Sequence, residues 1–170
     1  MVRFRDRATP GNAGFTLLEL ILVMLLFGVV LALALPRFSD TGTAYLKTDS
    51  SRVAAYIRYL HEASSTRKVY YRVSFDMGTE EIRAEYSLDG AQYRAERDTA
   101  LRTLKLAEGV TIEDIVVPET GKVNSGVLTV VFAPAGTMDP FTLHLKSGKN
   151  FRTLTFNPYS GEVSIEEGYV

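Results

Sequence analysis

The chain has 170 residues, and its 19 Lys and Arg against 20 Asp and Glu give a formal net charge of −1 at neutral pH. A charge this close to zero excludes a broad electrostatic attraction to nucleic acid or to anionic lipid. The absence of cysteine excludes disulfides and thiolate metal sites, so packing alone must hold the core. The length leaves room for a single modest folded domain.

The most apolar segment lies near the N-terminus. Residues 15–35 contain one charged side chain, Glu19, and as a helix they would extend roughly 31 Å, close to the hydrocarbon thickness of a bilayer. Transfer of the apolar side chains, on the order of 5 to 9 kcal/mol, outweighs the cost of the carboxylate, about 2.5 to 3.5 kcal/mol at the membrane centre. The sequence therefore predicts a transmembrane helix, and Arg3, Arg5 and Arg7 place its N-terminal end in the cytoplasm.

Two other interpretations of this segment are a secretory signal peptide cut after Ala34 and a plain N-terminal anchor. The apolar region is longer than the roughly 7 to 15 residues that a signal peptide uses. It also carries Glu19 near its start, and Pro36 follows two places after the cut that a signal peptidase would make. These features do not favour a signal peptide.

Residues 14–19, Gly-Phe-Thr-Leu-Leu-Glu, distinguish among these interpretations. A hydrophilic leader ending in Gly, followed by Phe, a hydroxyl residue, two leucines and Glu, resembles the processing site of the type IV pilin and type II secretion pseudopilin superfamily. The resemblance implies that a prepilin peptidase cuts the Gly14–Phe15 bond, which removes the leader 1–14, and that the new amine of Phe15 is methylated. Pro36 also matches many relatives in its distance from Phe15.

The same resemblance implies a partner for Glu19. After processing, the amine of Phe15 is cationic at neutral pH, and Glu19 of one subunit can pair with the Phe15 amine of the next subunit in a bundle of helices. Burying one of these charges alone is strongly unfavourable, whereas a hydrogen-bonded pair is tolerable. We therefore expect Glu19 to fix the axial register of a filament rather than to add much net stability.

Beyond Pro36 the sequence becomes amphipathic as far as residue 67. Apolar side chains recur at steps of three or four residues, which predicts a helix with one apolar stripe. The stripe contains Leu46, Val53, Ile57 and Leu60. Pro36 removes a backbone donor and Gly42 loosens the chain, so a bend between the two helical segments is expected.

From residue 68 onward the apolar period changes to two. Alternation on both sides of residues 77–79 predicts a β-hairpin. Further strands are predicted at 101–107, 110–117, 126–133, 141–146, 151–157 and 162–166. The predicted fold class is α+β: a long N-terminal helix, transmembrane and then amphipathic, packed against the antiparallel β-sheet of a head domain formed by residues 68–170.

Short motifs in the last third of the chain narrow the resemblance. They begin at Phe132, Arg152 and Gly161 and are similar to the F-x-P-x-G, R-x-L-x-F and G-x-V progression of GspH/FimT-type minor pseudopilins. Residues 89–125 carry nothing that aligns, and the loops there and the exposed sheet face are where partner contacts are expected.

This resemblance implies a pilin-like fold and the function of a minor pseudopilin in a type II secretion system. Such a protein is a structural subunit of the periplasmic pseudopilus, in the complex that forms or initiates its tip, and the filament drives export of folded proteins. The implied location is the bacterial inner membrane, with a single crossing and a periplasmic head. The implied partners are other minor pseudopilins, the major pseudopilin, the prepilin peptidase and the inner-membrane secretion platform.

The residues that could carry chemistry form no recognisable site. His61 and His144 lack a second ligand at metal-binding spacing, so each is expected to be structural or solvent-facing. Ser65 and Lys68 match the S-x-x-K pattern of acyl enzymes without its accompanying motifs. Acidic residues that could be considered for calcium do not form a cage: Asp76, Glu80, Glu81, Glu166 and Glu167. We expect no enzymatic activity, no metal and no cofactor.

Two alternatives stay open at this point. One is a minor type IV pilin of the FimT type, acting in pilus initiation or DNA uptake, and it depends on a weak basic patch of Lys146, Lys149 and Arg152 around a predicted turn. Three phosphate contacts give weak, salt-sensitive binding, and the chain beyond the patch is acidic, so nucleic acid is not favoured. The other is a membrane-tethered periplasmic hydrolase or sugar-binding module, which requires a polar pocket that the sequence does not indicate.

Overall fold

The structure is a computed structural model that describes residues 16–34, 40–134 and 139–170. The chain divides into two compact units, Met1–Ser39 and Asp40–Val170. The processing site at Gly14 and Phe15 lies outside the described residues. The domain boundaries predicted at 1–14, 15–35, 36–67 and 68–170 stay predictions.

The first unit contains helix α1, Leu17–Ala34. Thr16 caps its start, because the Glu19 N–H donates to Thr16 Oγ1 at 3.2 Å and to the Thr16 carbonyl at 3.1 Å. Thr-x-x-Glu is the sequence pattern of a capping box, and a carboxylate in the first turn is favoured by the helix dipole. Within the three described stretches, none of the helices is both long enough and apolar enough to cross a membrane.

The second unit begins with helix α2, Asp40–Arg67, which corresponds to the predicted amphipathic helix. Its predicted apolar stripe is buried, and the helix packs mainly on three strands of the second sheet described below. At its C-terminal end Lys68 adopts a left-handed conformation with φ 58°, and the Val69 N–H reaches back to the Ser64 carbonyl at 3.3 Å. This is the Schellman arrangement, which satisfies an orphan carbonyl and ends the helix.

Ten strands lie within residues 40–134 and 139–170, and every pairing between them is antiparallel. They are β1 (Tyr70–Asp76), β2 (Glu81–Ser87), β3 (Arg94–Ala95), β4 (Leu104–Lys105), β5 (Thr111–Val117), β6 (Gly121–Val123), β7 (Val127–Phe132), β8 (Phe141–Ser147), β9 (Asn150–Phe156) and β10 (Val163–Glu167). The first sheet has the order β3-β2-β1-β7, with β4 also beside β2. The second sheet has the order β10-β9-β8-β5-β6.

The predicted α+β class is confirmed, with the strands divided between two sheets rather than forming one. A chain of aromatic contacts joins the sheets in the core. The rings of Phe75 and Phe141 meet edge to face at 5.7 Å between centroids, Phe141 stacks on Phe156 at 5.4 Å, and Phe132 lies 5.7 Å from Phe156. Aromatic pairs in these geometries add to the stabilisation that burial alone provides.

The hairpin predicted at residues 77–79 is present, and the Asp76 carboxylate stabilises its turn by accepting the N–H groups of Gly78 and Thr79 at 2.9 and 3.1 Å. The strand predicted at 101–107 is wrong. A 3-10 helix, Thr99–Leu101, and the two-residue β4 occupy this region instead. Asp98 caps the 3-10 helix through the Ala100 N–H, and such a cap competes with an extended backbone.

Gly161 occupies a turn where the backbone conformation favours glycine and where a side chain would have no room. Its φ is +71°, and a Cβ at this position would lie 2.5 Å from His61 Nδ1. We expect Gly161→Ala to lower the free energy of unfolding by about 2 kcal/mol. Gly121 is the matched control, because its φ is +73° and nothing lies near its would-be Cβ. Chemical denaturation of the two variants measures the difference, and a smaller loss for Gly161→Ala than for Gly121→Ala would contradict the close contact.

Candidate functional site

The predicted assembly residue Glu19 lies in the first turn of α1. Its N–H is held by the Thr16 cap, while its side chain is exposed and free to meet another molecule. The helix begins at Leu17, two residues after the bond that the sequence predicts to be cut. In the sequence the Glu19 carboxylate lies four residues after Phe15, whose amine the predicted cut would release.

The rest of α1 presents an apolar surface. Large apolar side chains between Leu17 and Leu31 are exposed, from 41% for Val23 to 78% for Leu17 and Leu18. A continuous exposed apolar surface indicates a site that lipid or protein covers. The chemistry of this surface therefore suits helix packing and hydrophobic contact.

The predicted basic patch is not a single patch. Lys146 Nζ pairs with Glu113 Oε2 at 3.0 Å, and Arg152 pairs with Glu167 at 2.5 Å. In the β8–β9 pairing Lys146 lies opposite Phe151, so Arg152 falls on the other face of the sheet. Lys149 lies in the β8–β9 turn and is exposed. This pairing and division between faces reduce the positive potential that a nucleic-acid backbone would require.

A buried polar cluster around Asp114 was not found from the sequence. Asp114 on β5 is fully buried, and its Oδ1 lies 2.7 Å from His144 Nδ1 on β8. Its Oδ2 accepts the Tyr169 hydroxyl at 3.1 Å and pairs with Lys122 Nζ at 3.1 Å. Burial alone would raise the pKa of Asp114, but hydrogen bonds from His144, Lys122 and Tyr169 outweigh burial and hold the pKa below its ordinary value.

This cluster anchors residues 168–170 to the second sheet. The Tyr169 ring stacks on the His144 ring at 3.9 Å between centroids, and His144 Nε2 lies 3.1 Å from the Val170 oxygen. Thr153 contributes a hydrogen bond from its hydroxyl to the Gly168 carbonyl at 2.8 Å. Both nitrogens of His144 are thus occupied within the fold, so of the two roles expected for this residue, structural or solvent-facing, it has the structural one. No sequence signal marks the cluster, because its members are separated by up to 55 residues.

His61 and the acidic residues are likewise used by the fold. His61 Nε2 lies 3.2 Å from the Pro158 carbonyl oxygen, and its ring meets Phe156 edge to face. Asp76 holds the β1–β2 turn, and Glu80 accepts the Ile112 N–H at 2.7 Å. Among the residues that the structure describes, no group of three or more His, Asp or Glu could hold a metal ion.

Asp98 links α2 to the segment before β4. It accepts the Tyr59 hydroxyl at 2.8 Å and an Arg67 N–H at 2.5 Å. The hydrogen bond from Arg67, followed by those from Ala100 and Tyr59, lowers the pKa of Asp98 to about 2. Part of the region 89–125, where partner contacts were expected, is therefore held against the helix by a charged cluster.

Known proteins resemble this chain in its N-terminal segment and in its fold. The chain matches the prokaryotic N-terminal methylation motif over residues 10–35. No curated protein matches it. Two structures of the minor pseudopilin EpsH from the type 2 secretion system of Vibrio cholerae are similar in fold, at 14% and 13% identity and TM-scores of 0.53 and 0.59. They cover 72% and 75% of this chain and 95% and 97% of EpsH.

A crystal structure of the type IV minor pilin FimU from Pseudomonas aeruginosa matches at 13% identity with a TM-score of 0.48, covering 75% of this chain and 92% of FimU. At these identities the EpsH structures show the fold of the head alone. The family match shows that residues 10–35 carry an N-terminal methylation motif. The chain thus combines the prokaryotic N-terminal methylation motif with a fold similar to that of the minor pseudopilin EpsH.

Proposed function

We propose that this protein is a minor pseudopilin of a type II secretion system. It would be made as a precursor, cut after Gly14, methylated at Phe15 and assembled into the tip or initiation complex of a periplasmic pseudopilus that drives export of folded proteins. The observation that carries the proposal is the methylation motif joined to a head whose fold is that of the minor pseudopilin EpsH. The role is structural, without an enzymatic step.

Membrane anchorage forms part of the proposal. Residues 15–35 would cross the inner membrane once, with the N-terminal end in the cytoplasm and the head in the periplasm. The exposed apolar surface of α1 supports this arrangement, because lipid or neighbouring helices would cover it. The partners would be the prepilin peptidase before assembly, and afterwards other minor pseudopilins, the major pseudopilin and the inner-membrane secretion platform.

A minor type IV pilin acting in pilus initiation or DNA uptake is the second candidate, since the same N-terminal motif serves both kinds of filament. The ion pairs at Lys146 and Arg152 weaken the case for DNA contact by this chain. Deletion of the gene separates the two candidates. Failure to export folded proteins, with surface pili intact, supports secretion, whereas loss of pili with normal export supports the pilus.

Intact mass and N-terminal sequencing of protein recovered from membranes test the processing step. We expect a mature chain that begins with N-methylated Phe15, because residues 14–19 form the peptidase site that the motif implies. A Gly14→Ala variant supplies the control and is expected to keep residues 1–14. A native protein that begins at Met1 or at Leu35 would contradict the proposal.

A further inference from the structure

Strand β7 forms one edge of the first sheet. It pairs with β1 from Val127 opposite Asp76 to Phe132 opposite Tyr71. Within residues 40–134 and 139–170, no other strand pairs with its second edge. Alternate backbone N–H and C=O groups of an edge strand point away from the sheet and can pair with another chain.

The composition of β7 leaves this edge without the usual protection. Its sequence, Val-Leu-Thr-Val-Val-Phe, contains no charge and no proline, which are the features that keep edge strands from pairing. The side chains of Val127 and Val131 are 59% and 41% exposed. The other edge strands each carry a charge: β10 contains Glu166 and Glu167, β6 contains Lys122, β3 contains Arg94 and β4 contains Lys105. Among the described edges, β7 is thus the one suited to accept a strand.

A groove of about 490 Å³ runs beside β7. Residues 128–131 form one wall, and Val117 and Phe141 of the second sheet contribute to the other. A strand added to β7 would direct every second side chain into this groove, where Val117, Val130 and Phe141 offer apolar contacts. Glu119 and Asp139 also line the groove, both are exposed, and none of the described lining residues is Lys or Arg.

The charge of the groove selects the occupant. Pairing of β7 with β7 of a second copy would bring the carboxylates of two identical grooves to one junction and add no cation, which is unfavourable. We infer that β7 accepts, by strand addition, an extended segment of a different filament subunit, in which apolar side chains alternate and Lys or Arg flanks them. The choice of a filament subunit as partner rests on the proposed function.

The test uses the full-length protein in detergent micelles and three fluorescent heptapeptides at low salt. The first is Lys-Val-Thr-Val-Thr-Val-Lys, the second has Glu at both ends, and the third keeps Lys but has Pro in place of Thr. Fluorescence anisotropy measures binding, with empty micelles as the blank. We expect the first peptide to bind about fivefold more tightly than the second, and the third to show no saturable binding because proline lacks the N–H that a strand pairing needs.

Two protein variants locate the site. Glu119→Gln with Asp139→Asn is expected to bring the Lys and Glu peptides to within about twofold of each other. The charge-matched control, Glu108→Gln with Glu166→Gln, changes exposed carboxylates outside the groove and should keep the fivefold preference. Hydrogen exchange should slow in residues 127–132 when the Lys peptide is bound, since their outward amides become paired.

Three results would overturn the inference: no saturable binding of the Lys peptide, equal binding of the proline peptide, or a Lys preference that survives in the Glu119→Gln, Asp139→Asn variant. These measurements are independent of processing and assembly. An unmethylated native N-terminus would defeat the proposed function while leaving peptide binding at β7 intact, so the two failures are distinguishable.

Discussion

Replacing Asp114 by alanine is expected to lower the free energy of unfolding by about 3 kcal/mol. The carboxylate is fully buried, and the substitution would remove the partner of His144 Nδ1, of the Tyr169 hydroxyl and of Lys122 Nζ together. His144 is buried, with 2% of its surface exposed, and its contact with the Val170 oxygen would be the one hydrogen bond left to its ring. Thermal unfolding of the full-length protein in detergent, followed by circular dichroism, measures the loss.

Glu113→Ala is the matched control. This neighbouring carboxylate belongs to the same strand and pairs with Lys146 at 3.0 Å, but its side chain is 36% exposed. An exposed ion pair contributes little, so we expect a loss of less than about 1 kcal/mol. Equal losses for the two variants would show that the contribution of Asp114 to the free energy of unfolding does not depend on its burial.

Acidification should reduce the effect of Asp114→Ala. Although burial opposes ionisation, the hydrogen bonds from His144, Lys122 and Tyr169 leave the pKa of Asp114 lowered in the folded state. A carboxyl with a lowered folded pKa contributes stability that is complete above its unfolded pKa and is lost as the pH falls through the folded value. The difference between the wild type and the variant is therefore expected to shrink below about pH 4.

The parts of the fold that could be predicted are those with a regular apolar period. The stripe of α2 from Leu46 to Leu60 follows the helical repeat, and the β1–β2 hairpin follows strict alternation about a turn with Gly78. Each pattern is local, so it specifies the element without knowledge of the rest of the chain. The N-terminal motif is equally local, because the six residues 14–19 lie next to one another.

The parts that could not be predicted depend on distant partners. The segment 101–107 has leucines at 101, 104 and 106, yet the Asp98 cap turns Thr99–Leu101 into a 3-10 helix, and only Leu104–Lys105 forms a strand. Asp114 and His144 meet only because β5 and β8 pair across 30 residues, with a register shift between Ile112 and Asp114. The division into two sheets likewise follows from pairings such as that of β7 with β1, which no local pattern encodes.

Glu19→Ala is expected to leave processing and membrane insertion intact and to reduce incorporation into the filament by about a hundredfold. The reason is that the Phe15 amine of one subunit would be buried without the carboxylate of its neighbour, and an uncompensated buried charge costs about 3 kcal/mol or more. The variant removes one charge from an otherwise apolar helix, so insertion itself becomes more favourable. The ratio of subunit in purified filaments to subunit in the membrane, measured by immunoblot, reports the effect.

Thr16→Val supplies the control for local helix structure. It removes the hydroxyl that accepts the Glu19 N–H at 3.2 Å but keeps the Glu19 carboxylate. Loss of an N-cap costs about 1 kcal/mol of helix stability, so incorporation should fall by no more than several-fold. Glu19→Gln separates charge from hydrogen bonding, because an amide can accept from the amine but cannot neutralise it. Incorporation of Glu19→Ala at the wild-type level would show that register is set elsewhere on the helix, and a loss in Thr16→Val as large as in Glu19→Ala would assign the effect to the cap.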